Sequence, residues 1–305
     1  MCKSLNARLI TFLAGAVLVL PASVACGQGP PAGEPAGEPA AQPTAQPTVQ
    51  PPGQPPELPL DIIGLTDDNR LVQFSSENPS PRETGTIRGL EGGDTRLVGI
   101  DYRVQDGRLY GVGDQGGLYT VETNGQATSV GRLTIAPQGT SFGVDFNPVA
   151  NALRVVSDTG QNLRQPFTQT PLPATVADTQ LSTPPAAPPA NGVTGAAYTN
   201  NDNDPNTDTT LLGLDTTADQ IVLQSPANSG QLAATGRLTV DATGDAGFDI
   251  ATVGGTGEAM ARSRAYATLR VGDQYGLYQI NLLAGRAQTA GSLDRNVIDL
   301  AISLS

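Results

Sequence analysis

Residues Gly139–Arg164 read GTSFGVDFNPVANALRVVSDTGQNLR, and the first half of this stretch decides the fold. Gly143-Val144-Asp145-Phe146 is followed, eight residues after its Asp, by Leu153-Arg154-Val155-Val156. Two short β-type runs separated by Asn, Pro and Ala define a strand, a turn and a second strand. The same opening returns as Gly99-Ile100-Asp101-Tyr102, which leads at equal spacing to Leu109-Tyr110-Gly111-Val112. Gly195-Ala196-Ala197-Tyr198 and Gly247-Phe248-Asp249-Ile250 repeat it with longer insertions before the next strand. A third element recurs at Gly117–Val121 and Gly276–Ile280. A fourth recurs as ATSVGRL (127–133), LAATGRL (232–238) and AQTAGSL (287–293).

Openings at 99, 143, 195 and 247 are 44, 52 and 52 residues apart. Four strands per unit at that period describe propeller blades. The ends supply a fifth. Residues 297–303, VIDLAIS, form an opening strand with nothing after it, and residues 61–90 hold three strands with no opening. Pairing the C-terminal strand with the N-terminal ones closes the ring without a free edge. The predicted fold is therefore an all-β propeller of five four-stranded blades. A six-bladed ring is the alternative, its extra blade falling in the Pro- and Thr-rich region 165–194, which otherwise reads as a long loop or degenerate outer strand.

The rest of the chain divides at residues 25 and 58. In residues 1–25, Lys3 and Arg8 precede an apolar run of twelve, Leu9–Leu20, which is too short for a permanent membrane span. Ser23-Val24-Ala25-Cys26 resembles a lipobox, with Cys26 as the lipidated residue; cleavage after Ala25 without lipidation is the alternative. Residues 26–58 form the tether: residues 30–59 carry eleven prolines, in near-repeats such as AGEPAGEPA, and cannot bury a core. Residues 59–305 are the propeller. The expected location is the cell envelope, by a lipid anchor, with full secretion as the alternative.

Composition excludes much chemistry. There is no His, so Ser-His-Asp and Cys-His catalysis and His-ligated metals are absent. The only cysteines, Cys2 and Cys26, lie outside the propeller and allow it no disulfide. The formal charge is -12; loss of Lys3 and Arg8 with the leader leaves 15 arginines against 29 Asp plus Glu, a net of -14. Such a surface repels phosphate backbones, so nucleic acid is excluded as a partner. The expected partners are the membrane, through the anchor alone, and an envelope or extracellular ligand; the domain is read as a monomer.

The segments GTSFGVDFNP (139–148) and RVVSDTGQNLR (154–164) resemble a bacterial family of domains of unknown function, numbered 4394, over about Leu58–Ser305. The resemblance implies a secreted, β-rich repeat domain and assigns no catalytic or ligand residues.

Three sets of residues are candidates for chemistry. Asp101, Asp145, Asp249 and Asp299 recur in opening strands, which line a propeller's channel, and could hold a hard cation such as Ca²⁺. Alternatively each accepts backbone N–H bonds from an adjacent turn, repeated because the fold repeats. In the loop NNDNDPNTD, Asp202, Asp204 and Asp208 are oxygen donors or simply turn formers. Arg154, Ser157, Asp158, Gln161, Asn162 and Arg164 could hold a carboxylate or sugar, or instead pair Arg with Asp158 to fix a turn. The function expected is a non-catalytic binding or scaffold module, with no cofactor unless Ca²⁺; the alternative is a metal-dependent hydrolase of the propeller-lactonase kind.

Overall fold

A computed structural model describes residues 58–185, 189–202, 207–253 and 263–304. The leader, Cys26, most of the tether and Asp204 fall outside these described residues. Among them are twenty strands in five four-stranded antiparallel sheets, with one 3₁₀ turn at Ala227–Ser229 and no α-helix. Each sheet is a blade, so the ring has five blades and not six.

The first blade is built from both ends of the chain. Its order is β20 (Val297–Ile302), β1 (Asp61–Thr66), β2 (Arg70–Ser75), β3 (Arg82–Thr86). The second holds β4 (Leu97–Arg103), β5 (Arg108–Gly113), β6 (Gly117–Val121) and β7 (Ala127–Arg132). The third holds β8 (Phe142–Asn147), β9 (Ala152–Ser157), β10 (Asn162–Pro166) and the two-residue β11 (Val176–Ala177). Between β10 and β12 it is the only strand among the described residues, the degenerate outer strand that is one of the two readings of region 165–194. The fourth holds β12 (Val193–Tyr198), β13 (Leu211–Asp215), β14 (Gln220–Gln224) and β15 (Leu232–Arg237). The fifth holds β16 (Gly247–Thr252), β17 (Ser263–Val271), β18 (Gln274–Ile280) and β19 (Ala287–Leu293).

Five hydrophobic clusters lie between the five pairs of adjacent blades. Ile63, Leu65 and Leu71 meet Ile100, Leu109 and Tyr119 between the first and second blades. On the opposite face of the same strand, Ile62 meets Tyr266, Leu277 and Leu293 of the fifth. Successive side chains of a strand point to opposite faces, so a strand sandwiched between neighbouring blades must be apolar on both. This explains continuous runs such as DIIGLT and VIDLAI, where a sheet with one wet face would alternate. Between the second and third blades the rings of Tyr110, Phe146 and Phe167 meet edge-on, with centroids 5.0–5.4 Å apart.

The outer strands are largely exposed. Four of them, β3, β7, β15 and β19, carry a register shift beside Gly85, Gly131, Gly236 and Gly291. A bulge twists an edge away from further pairing, which accounts for the recurring -G-R/S-L element.

At the hub each inner strand touches the next: β4 with β8, β8 with β12, β12 with β16, β16 with β20 and β20 with β4. The approach is close where glycine recurs. A Cβ on Gly143 would lie 2.6 Å from the Gly195 carbonyl carbon, and one on Gly247 would lie 2.6 Å from the Leu300 nitrogen. The repeated Gly of each opening is therefore a packing requirement against the next inner strand, not a turn: backbone crowds Gly143 and Gly247, and the Val144 and Asp299 side chains crowd Gly99.

Candidate functional site: a carboxylate cluster at the hub

The inner strands end at a small cavity of about 20 Å³. It is lined by Asp101 from β4, Asp145 from β8 and Asp249 from β16, together with Tyr198, Asn200, Asn201 and Ile302. One carboxylate oxygen from each of the three aspartates lies within 4.8 Å of the others. All three side chains are buried.

Each of these carboxylates also ties its blade to the next. Phe146 N–H donates to Asp101 Oδ2 at 2.7 Å, Tyr198 N–H to Asp145 Oδ1 at 3.1 Å, and Ile302 N–H to Asp249 Oδ2 at 2.6 Å. Asp101 and Asp249 accept a second bond from the N–H of the following residue. The donors belong to the neighbouring inner strand and not to an adjacent turn, because the strands here lie too close for a turn to intervene. No hydrogen bond reaches Asp145 Oδ2 among the described residues.

Asp299 occupies a different level. Its register shows why: Leu300 lies opposite Gly64 just as Ile100 lies opposite Gly111 and Ala196 opposite Gly213. Asp299 is thus equivalent to Gly99 and Gly195, and Ala301 to Asp101. The expectation of four equivalent aspartates is corrected to three, with alanine at the ring level in the fourth blade (Ala197) and the first (Ala301). Asp299 instead accepts Ile100 N–H at 2.8 Å and Leu300 N–H at 2.9 Å, one layer deeper.

Burial sets the electrostatics. It pushes the Asp101 and Asp145 carboxyls well above the usual carboxylate range, and the charges of the other cluster members push further in the same direction. Asp249 is raised to about 6, burial winning over the Ile302 and Ile250 N–H bonds that favour its ionised form. Asp299 is raised well above its ordinary value, again by burial first. Desolvation and like charge both disfavour ionisation, so this hub holds three full negative charges only with a counter-cation. The donor chemistry suits a hard one. Ligands on opposite sides of a Ca²⁺ at 2.3–2.6 Å are about 5 Å apart, which matches the spread of these oxygens.

The other candidates have structural partners. Asp158 accepts Thr140 N–H at 3.0 Å and Thr140 O–H at 2.6 Å, and Gln161 bonds Ala136 and Gln138. Ser157 Oγ lies 2.9 Å from Thr159 Oγ1. The carboxylate paired with arginine is Asp178 and not Asp158: it accepts from Arg154 Nη1 at 2.8 Å and from Arg164 Nε and Nη2 at 3.0 and 3.1 Å. Arg154, although buried, also donates to Asn162 and Asn228. Asp202 and Asp208 join no cluster of three carboxylates among the described residues, and Asp208 is exposed.

Sheet order, inter-blade clusters and a carboxylate hub define the molecule as a five-bladed β-propeller. The chain belongs to the family described as Domain of unknown function (DUF4394), which it matches over residues 70–301. No curated protein matches it. It is similar to a structural genomics protein of unknown function from Bacteroides thetaiotaomicron, at 13% identity and TM-score 0.45, covering 76% of this chain and 58% of that one. It is also similar to a chain of a nidogen/laminin complex, at 13% identity and TM-score 0.44, covering 80% and 85%. A third is Myxococcus xanthus glutaminyl cyclase, at 12% and 0.36, covering 67% and 69%. Likeness at this level carries no function across.

Proposed function

We propose that this protein is a non-catalytic binding module displayed on the cell envelope, with one hard divalent cation, Ca²⁺ by its donor set, bracing the hub. The observation that carries the reading is the convergence of Asp101, Asp145 and Asp249 on a cavity of about 20 Å³. That volume suits one water or one ion. It leaves no room beside the carboxylates for an ester or lactone, which supports a bracing cation over the propeller-lactonase alternative. A cation held this way joins three blades at the axis.

The test is metal analysis of the purified domain after exhaustive dialysis, followed by Ca²⁺ titration of thermal stability. One equivalent of Ca²⁺ is expected, with a rise in Tm that saturates and is absent from Asp101→Asn/Asp249→Asn. A metal-free domain whose Tm ignores Ca²⁺ at neutral pH refutes the bracing role. Lactone turnover abolished by the same pair of substitutions would turn the reading to the hydrolase.

The envelope location rests on the Ser23–Cys26 lipobox and the Pro-rich tether. Cys26→Ser is expected to move the protein from the membrane fraction to the soluble one. Unchanged fractionation would refute lipidation.

A further inference from the structure

A second cavity, of about 250 Å³, lies between the third and fourth blades and shares only Tyr198 with the hub cavity. Its polar wall is Arg154, Arg164, Tyr198, Asn228 and Asn147, whose amide is already bonded to Thr209 and Ala150, and its apolar wall includes Ala152 and Ala227. Two guanidinium groups here share the single carboxylate of Asp178, so the site keeps one positive charge in a domain that is otherwise strongly acidic. Arg154 is held rigidly: its side chain is 1% exposed and its bonds to Asp178, Asn162 and Asn228 fix it. Arg164 is 29% exposed and spends Nε and Nη2 on Asp178. Its Nη1 has no hydrogen-bond partner among the described residues. The Asn228 Nδ2 amide is likewise uncommitted. Tyr198 Oη accepts from Arg154 Nε at 3.4 Å, which leaves its own proton to donate.

The inventory of free groups is thus one-sided: donors on a cationic site, with no uncommitted carboxylate on its wall. We infer that this cavity binds a small aliphatic monocarboxylate, its carboxylate taken by Arg164 Nη1, Tyr198 and Asn228 and its short chain against Ala152 and Ala227. The inference gives the binding-module reading a ligand class and rests on that reading, but not on the cation at the hub. Size and charge set the class. The cavity falls below the usual range for drug-sized ligands, and the acidic surface around it repels polyanions. A charge-assisted bond to arginine is the strong kind.

The experiment uses sodium butyrate as probe on the full mature chain, read by ligand-observed NMR and calorimetry, with sodium chloride at equal ionic strength as reference. Binding on the order of millimolar is expected for so few atoms. Arg164→Gln should weaken it roughly tenfold or more, since one charge-assisted contact is lost. This variant leaves Arg154 and Asp178 as a balanced pair and should fold. Arg164→Lys, which keeps the charge and loses the fork, should fall between. Arg237→Gln, an exposed arginine elsewhere, should bind as the parent does.

Three results would overturn the inference: no butyrate binding by the folded parent, equal binding by Arg164→Gln, or tighter binding of D-glucuronate than of butyrate. Any of them with the Ca²⁺ response intact removes the pocket and leaves the hub reading standing. Loss of the Ca²⁺ response with butyrate bound removes only the cation.

Discussion

Deleting residues 296–305 should abolish the cooperative thermal transition of the whole propeller, although only one strand of twenty is removed. β20 supplies the inner strand of the first blade, and Val297, Ile298, Leu300, Ala301 and Ile302 are all buried. They face two different clusters, so both flanking blade interfaces lose a wall. At about 1.5–3 kcal/mol for each large aliphatic side chain, four of them amount to roughly 6–12 kcal/mol. That is comparable to the entire stability of an ordinary domain. Asp249 would also lose the Ile302 N–H it accepts, and Ile100 the carboxylate it donates to. Circular dichroism melting checks this. A truncated chain that melts cooperatively near the parent temperature would mean that the ring does not depend on closure.

The second large effect is an inverted pH dependence. A carboxyl whose pKa is higher folded than unfolded contributes stability that is fully present below the unfolded value and is lost as pH rises through the folded one. For Asp249 that window runs from 3.8 to about 6, a difference of about 3 kcal/mol. Asp101, Asp145 and Asp299 shift in the same direction, so they add to this loss. The metal-free domain is therefore expected to be more stable at pH 5 than at pH 7.5, the reverse of most proteins. With no His in the chain, no other side chain ordinarily titrates between pH 5 and 8. Ca²⁺ should restore stability at pH 7.5 and do little at pH 5, where protons already occupy the cluster. Asp249→Asn should make the metal-free profile shallower and weaken the calcium response together. A metal-free domain whose denaturation midpoint rises steadily from pH 5 to 7.5 would show that these carboxylates are ionised without help.

Much of this architecture was legible because the hub repeats. The openings at 99, 143, 195 and 247 carry Gly where inner strands crowd together, and Asp101, Asp145 and Asp249 stand at a fixed distance from it. Asp299 misled for the same reason. VIDLAIS has no Gly to set the count, and its Asp stands where the other blades have Gly; only the pairing of Leu300 with Gly64 reveals the offset. Asp178 could not be found by pattern. It follows a two-residue strand in an irregular, Pro-rich stretch, and it reaches Arg154 across 24 residues with no periodicity to mark it. Asn228 and Tyr198 come to the same cavity from another blade, a proximity created by blade packing and not by local sequence.

The closure of the first blade has a mechanical side. The chain enters the domain at β1, and β1 is not an edge: β20 and β2 hold it by hydrogen-bond ladders on both sides. Tension applied through the N-terminal segment therefore loads two ladders at once, and no outer strand offers a place to begin peeling. A propeller hung by this end meets a pull at its most doubly anchored strand, while the free edges of all five blades carry none of the load.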